Sequence, residues 1–382
     1  MIFHVGRIEV DTEKVRRWIN SSKGRTLTFR LLIAGVVLLP LAAWYAFGGR
    51  RGTSAAEQRN VVLYTTADEA VVRSLTDDFT ARTGIRVGIT REPAGRTDAL
   101  VQRLTNEKGS PRADVWWGAD TAAAARLAGA GVLAPWTSKA ESLVAGGWPA
   151  GLRDPGYRWY GFALRARVIA FNTSSLAKNE APTRLRDLAS PNWRGRVGLP
   201  DPRVPGPARA HLAFLIATHG EDAARSWLLG IKDNGAVVLP DDLAVAQAVG
   251  RGDVRLGLTS ADAVRSAQGE PWPVDFVPES IDRPRDRVEG LRSVGVVLTP
   301  DTVARVVGSP NPHAGARLAD FLLSADAERI LAGVPARRVP IIPSVAGEFA
   351  GAAFANPTPI DWNAVNAADE AAARIAREVL GP

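Results

Sequence analysis

The stretch Val61 to Val87 reads VVLYTTADEAVVRSLTDDFTARTGIRV, and its first four residues form an unbroken apolar run. Such a run suits a strand covered on both faces, as in a parallel sheet. Thr66-Ala67-Asp68-Glu69 follows at once and reads as a capping box, with Thr66 as N-cap and Glu69 three residues on. Val72, Leu75 and Phe79 give the ensuing helix a buried stripe, and Gly84 reads as its stop. Ile85, Val87 and Ile89 then alternate as a second strand. Strand, helix and strand in one short stretch predict a βαβ unit, hence an α/β fold with a largely parallel sheet.

Outward from this unit the alternation continues. A helix over Gly95 to Asn106 carries Leu100, Val101 and Leu104, Ala113 to Trp117 reads as a strand, and Asp120 as the N-cap of a helix over Thr121 to Ala128. Ligands of such sheets sit beyond the carboxyl ends of the strands, where Thr65, Thr66, Gly118 and Asp120 fall. Phe162 to Phe171 is an extended stretch ending at Asn172, long enough to cross between lobes. A second α/β set follows: a strand at Arg196 to Leu199, a Pro- and Gly-rich turn to Pro207, a helix over Ala208 to Thr218, then Ala236 to Leu239, Leu243 to Val249 and Leu256 to Thr259. Arg251-Gly252-Asp253, between a helix and a strand, reads as a turn and not as an adhesion tripeptide. Arg292 to Leu298 is strand-like, and Ala314 to Leu323 and Ala325 to Ala332 are amphipathic helices.

The N-terminal side has a different character. Leu31 to Phe47, LLIAGVVLLPLAAWYAF, contains no charge, and as a helix it covers about 25 Å, close to a membrane span once Leu27 to Phe29 are added. Basic residues before it, with Arg50 and Arg51 after it, predict a cytoplasmic N-terminus and an extracytoplasmic remainder. The expected organisation is a cytoplasmic segment 1–30, a transmembrane anchor (or signal peptide) 31–47 and a tether 48–59. The net charge of +7 divides unevenly. Residues 1–59 hold ten basic and four acidic residues, leaving 37 basic against 36 acidic in 60–382. The exported part therefore has no bulk basic field for nucleic acid. Absent cysteine removes thiolate metal sites, a Cys nucleophile and a lipidated N-terminus. The four His are scattered, and no GxSxG, HExxH, GxGxxG or P-loop pattern occurs. The chain is not expected to be an enzyme or to carry a cofactor.

The same opening stretch resembles the extracytoplasmic solute-binding proteins of ABC importers, in the group that includes the ferric-iron-binding proteins. Later segments agree in order: ALVQRL and ADVWWGAD within Ala99 to Asp120, YGFALRARVIAFNTSSL (Tyr160 to Leu176), DLASPNWRGRVGLPDP (Asp187 to Pro202), GDVRLGLTS (Gly252 to Ser260), FLLSADAERILA (Phe321 to Ala332), RRVPIIPSV (Arg337 to Val345) and IDWNAV (Ile360 to Val365). The resemblance implies a two-lobed periplasmic-binding-protein fold of type 2 with two crossovers. Lobe 1 would take 60–165 plus 290–382 and lobe 2 would take 166–289, closing over a solute that is handed to ABC permease subunits. It implies a monomer at the membrane, with its binding domain in the periplasm or at the cell surface. A tethered ligand-sensing or interaction domain is the alternative. Iron-binding members use adjacent tyrosines in the loop after the strand matching Arg255 to Thr259. Here that loop reads Ser260-Ala261-Asp262-Ala263, so the tyrosine pair is absent and iron ligands are not carried over. Fe(III) or another cation would need other ligands, such as Asp68, Asp120 and Asp262.

The candidate ligand-binding residues are Thr65, Thr66, Asp120, Arg165, Gly206, Ala208, Thr259, Ser260 and Asp262. Family members place an anion-contacting Arg where Arg165 stands, and its fork suits a carboxylate or phosphonate. Either Arg165 or Arg167 faces the cleft, or the residue makes an inter-lobe salt bridge. Gly206, Ala208 and Arg209 open a helix whose free N–H groups favour an anion. Thr66 and Asp120 serve equally well as helix caps. Thr259, Ser260 and Asp262 would suit the cationic end of a zwitterionic solute or a hydrated cation, or else form a solvated loop.

Overall fold

One long strand organises the molecule. The computed structural model describes residues 59–278, 295–333, 337–352, 354 and 357–381, together with Glu13 and Arg17. The expected membrane segment 31–47 lies outside the described residues, and among the described residues no helix is long and apolar enough to cross a membrane.

Strand β1 (Asn60–Thr65) leads through α1 (Glu69–Thr83) to β2 (Arg86–Arg91), then through α2 (Thr97–Asn106) to β3 (Val115–Gly118). β1 is parallel to both β2 and β3. Helix α3 (Thr121–Gly129) and the short β4 (Leu133–Ala134) follow. The cap of α1 is not the one expected. Thr66 is still in the sheet, its N–H donating to the Trp117 carbonyl at 3.1 Å. The helix starts at Glu69, and Asp68 caps it by accepting from the Ala70 and Val71 amides at 2.9 and 3.3 Å. Thr66 Oγ1 instead accepts from the Ala119 amide at 3.1 Å. Gly84 ends the helix in the left-handed conformation, φ 70°.

Strand β5 (Tyr160–Asn172) runs from this sheet into the next. Beyond it come β6 (Val197–Pro200), α4 (Pro207–His219), α5 (Glu221–Asp233), β7 (Val237–Leu239), α6 (Asp242–Arg251), β8 (Leu256–Ser260), α7 (Ala261–Ala267), β9 (Val274–Pro278) and β10 (Leu298–Val306). The strand order is β2-β1-β3-β10-β5-β8-β6-β7, with β4 beside β10 and β9 beside β5. Residues 160–166 of β5 pair with β10, and residues 167–172 pair with β8 and β9. The stretch expected to be extended is this strand, and its two halves pair with different sets of strands.

The first sheet is mixed and not largely parallel. β10 lies antiparallel between β3 and β5, where Thr299, Asp301 and Thr302 are buried. A run so polar does not read as a central strand from periodicity. It is stable there because Trp117 Nε1 donates to Asp301 at 2.9 Å and Trp116 Nε1 to Thr302 at 3.3 Å. Of the strand-like stretch expected over 292–298, residues 292–294 lie outside the described residues, Val296 bridges to Pro357, and β10 starts at Leu298. The register of β10 against β5 slips between Thr299 and Asp301, and Ala163 takes φ 49° opposite this bulge.

Helices α8 (Pro312–Leu322), α9 (Ala325–Gly333), α10 (Pro343–Glu348), α11 (Trp362–Asn366) and α12 (Asp369–Leu380) close the fold. α8 and α9 bury Leu318, Leu322 and Leu331 with Phe79 and Trp117 in the first core. α12 packs on α4 and α5, sharing a core of Ile375, Val379, Leu212 and Leu228. Arg374 pairs with Glu221 at 2.6 Å across that contact. Gly252 turns at φ 83° with Arg251 paired to Asp253, so the Arg-Gly-Asp tripeptide is a turn.

Candidate functional site

The carboxyl ends of β1, β6 and β8 open on one cavity of about 570 Å³, within the range of small-molecule sites. The first sheet contributes Thr66, Asp68, Arg91 and Ala119, and the second contributes the 200–208 turn, Asp241, Asp242, Ser260 and Asp262. Arg165, on the shared strand, and Arg338 complete it.

Of the residues expected from sequence, Thr66, Arg165, Gly206, Ala208, Ser260 and Asp262 line this cavity, whereas Thr65, Asp120 and Thr259 do not. Thr65 Oγ1 accepts from the Ala67 amide at 3.0 Å. Thr259 Oγ1 donates to the Asp242 carbonyl at 2.6 Å, fastening the first turn of α6 to β8. Asp120 caps α3 through Ala123 at 2.7 Å, and burial pushes its carboxyl up to about 6.

The turn 200–206 is braced from behind. Arg203 forks onto Asp201, and Arg209 reaches back to the Pro202 and Arg203 carbonyls. Gly206 then caps α4 at φ 141° with no side-chain hydrogen bond to the first turn. That conformation is essentially reserved for glycine. Pro207 lacks an N–H, and the amides that follow have no partner within the helix and none from a cap. By contrast α1 and α6, whose first residues also border the cavity, are capped by Asp68 and Asp241. α7 also opens on the cavity without a side-chain cap from Ser260, but its first turn carries Asp262; α4, with no acidic residue in its first turn, is the uncapped terminus better suited to an anion.

Arg165 faces the cavity, but it is paired. Its Nε and Nη2 lie 3.1 and 3.0 Å from Asp301, and Nη1 lies 3.6 Å from Asp262. Burial opposes its charge, and the surrounding carboxylates more than restore it, so its pKa is raised. Arg167 points away into the second lobe and bonds Asp242 at 2.7 Å. The bulge at Ala163 exposes the Leu164 carbonyl to the Val339 amide at 2.9 Å, and this carries Arg338 to the cavity wall. There Arg338 Nη1 bonds Asp262. Burial would raise the Asp262 carboxyl, but Arg338 and Arg165 outweigh it and hold the pKa below the usual value. Glu328 fixes the same arm by accepting from the Ile341 and Ile342 amides, each at 2.9 Å.

Sequence reasoning missed Arg338, Arg91 and Asp241. RRVPIIPSV carries no local sign of a site, because Arg338 reaches the cavity through the backbone bridge of Val339 to Leu164, 175 positions earlier and beside the bulge. The tyrosines of residues 60–382 stay away. Tyr64 bonds Glu107, Tyr160 bonds Glu141, and neither they nor Tyr157 line the cavity. Among the described residues no group of three or more His, Cys, Asp or Glu is arranged to hold a metal ion.

The sequence model of the bacterial extracellular solute-binding protein family matches residues 61–333. Iron uptake protein A1 of Synechocystis is 29% identical over 287 residues, 72% of this chain and 74% of that protein. Among solved structures, apo ferric ion-binding protein A of Pasteurella haemolytica superposes with a TM-score of 0.72 at 20% identity, covering 85% of this chain and 98% of that one. The periplasmic binding protein AfuA of Actinobacillus pleuropneumoniae, with fructose-6-phosphate bound, gives 0.66 at 19% identity, with coverages of 84% and 97%. These likenesses establish the two-lobed periplasmic-binding fold.

Proposed function

Because the chain belongs to the bacterial extracellular solute-binding protein family, we propose that its cavity captures a small acidic solute by closure of the two lobes and delivers it to an ABC permease. The observation that carries this reading is the uncapped first turn of α4 at the wall of a cavity that Arg91, Arg165 and Arg338 also line. Thr66, Arg165, Gly206, Ala208, Ser260 and Asp262 are its binding residues, joined by Arg338. Thr65, Asp120 and Thr259 support them from behind. The cationic end of a zwitterion has little to gain at Asp262, whose charge already meets two guanidinium groups.

Lobe 1 takes 60–165 plus 290–382 and lobe 2 takes 166–289, with β5 as one crossover between them. The uncharged run 31–47 serves as a membrane anchor, with the binding part extracytoplasmic. Anchoring holds the binder at high effective concentration beside its permease. Relatives are named for ferric iron, but this cavity has no tyrosine to offset a trivalent ion.

Thermal shift of the full chain against inorganic phosphate, phosphate esters, carboxylates, ferric citrate and polyamines tests the proposal. A ligand of the cleft raises the midpoint in proportion to RT ln(1 + [L]/Kd). A shift with phosphate or a phosphate ester supports it, and a shift with ferric citrate alone overturns it.

A further inference from the structure

On the reading of the cleft above, α4 holds an acidic solute from the second sheet, and the first sheet has one charge to offer it. Among the described residues three cations line the cavity, Arg91, Arg165 and Arg338. Two of them are spent, since Arg165 lies 3.0 Å from Asp301 and Arg338 bonds Asp262. The Arg91 side chain makes one hydrogen bond, from Nε to the Ala67 carbonyl at 2.9 Å, and among the described residues no ion pair. The carboxylates of the wall answer other partners. Asp68 and Asp241 cap α1 and α6, Asp201 takes the fork of Arg203, Arg167 bonds Asp242 and Arg338 bonds Asp262.

The sheet fixes where Arg91 stands. It is the last residue of β2, in register with Thr65 of β1, and the Thr65 carbonyl accepts from the next amide, Glu92, at 3.0 Å. Ala67, whose carbonyl takes Nε, is buried in the turn between β1 and α1, which also puts Thr66 and Asp68 on the wall. Backbone and stem are thus held, and the two Nη groups remain for a ligand. A guanidinium presents them to one carboxylate or phosphate in paired, charge-assisted hydrogen bonds. Arg91 is exposed, so its charge costs little to keep in an open cleft and is screened by salt.

We propose that Arg91 is the first-lobe contact of the solute's acidic group: α4 seats the group, and Arg91 clamps it when the lobes close. An anion held by both ties one lobe to the other. It therefore binds the closed form more tightly than the open one, and that difference drives closure.

Calorimetric titration of the full chain with glycerol 3-phosphate tests this. Arg91→Ala is expected to bind about tenfold more weakly than the wild type, the loss of one charge-assisted contact. Arg91→Lys falls between the two, and the salt dependence of affinity is shallower in Arg91→Ala. Arg96→Ala removes the same charge five positions on, from a residue outside the wall that pairs with Glu92 at 3.4 Å, and binds like the wild type. The chain has no cysteine, so spin labels at Arg73→Cys and Lys178→Cys, both exposed, report the spacing of the lobes. Saturating ester shifts that distance in the wild type and shifts it less in Arg91→Ala. Equal affinity in Arg91→Ala and the wild type overturns the clamp and leaves the α4 reading standing, as does an equal loss in Arg96→Ala or an undiminished shift in Arg91→Ala. A wild type that does not bind the ester overturns both.

Discussion

Asp301 shows how one residue can hold the cleft together. It is fully buried, accepts from Trp117 and Arg165, and sits in the middle of a central strand. Removing one partner of a buried pair leaves the other charge uncompensated, which costs about 3–5 kcal/mol. Asp301→Asn is expected to lose stability of that order in urea unfolding, whereas Arg73→Ala, at an exposed i, i+4 pair, loses under about 1 kcal/mol. Glu328 is a second such residue. Burial outweighs its two backbone hydrogen bonds and lifts its carboxyl from 4.5 to about 7. The folded state therefore holds this proton more tightly than the unfolded one. The resulting stabilisation is complete below the unfolded pKa and is lost as pH rises through about 7. On acidification from pH 8 to pH 5 the wild type is expected to gain midpoint relative to Glu328→Gln, by up to the order of 3 kcal/mol. A constant difference between the two across that range would assign the shift elsewhere.

At the scale of elements, the close approach of β8 to α6 is the tightest constraint behind the site. A Cβ on Gly257 would lie 2.4 Å from Val245 Cγ1 and 3.0 Å from Val249 Cγ2. Gly257→Ala should cost about 1–3 kcal/mol by overpacking and displace the turn that carries Ser260 and Asp262. Gly206→Ala is its complement. Nothing lies within 4 Å of its added methyl, so its effect is confined to a backbone that alanine resists at φ 141°. Little of the fold should be lost, and the first turn of α4 should move. The sequence reading caught these elements where apolar periodicity or a helix stop marked them, as in β1, α1, α4, α6 and β8. It missed β10 because Thr299, Asp301 and Thr302 are buried by partners far along the chain. It put the cap of α1 at Thr66 because nothing local reveals that Thr66 still pairs with Trp117.

For the molecule as a whole, the crossing strand and the mixed sheets place three strand ends around one cavity, and the family match agrees with that architecture. Six of the seven proposed binding residues were legible in the chain: Thr66, Ser260 and Asp262 because they follow predicted strands, Gly206 and Ala208 because a helix start follows a Pro- and Gly-rich turn, and Arg165 through the family resemblance. Arg338 was not, since its place depends on the bulge at Ala163. The central claim is that the uncapped first turn of α4 seats the acidic group of a small solute. Titration of the wild type and Gly206→Ala with glycerol 3-phosphate tests it most directly. One site per chain, weakened at least tenfold in Gly206→Ala with the fold intact, is the predicted result. Equal affinity in the two proteins, or a wild type that binds ferric citrate and not the phosphate ester, would contradict it.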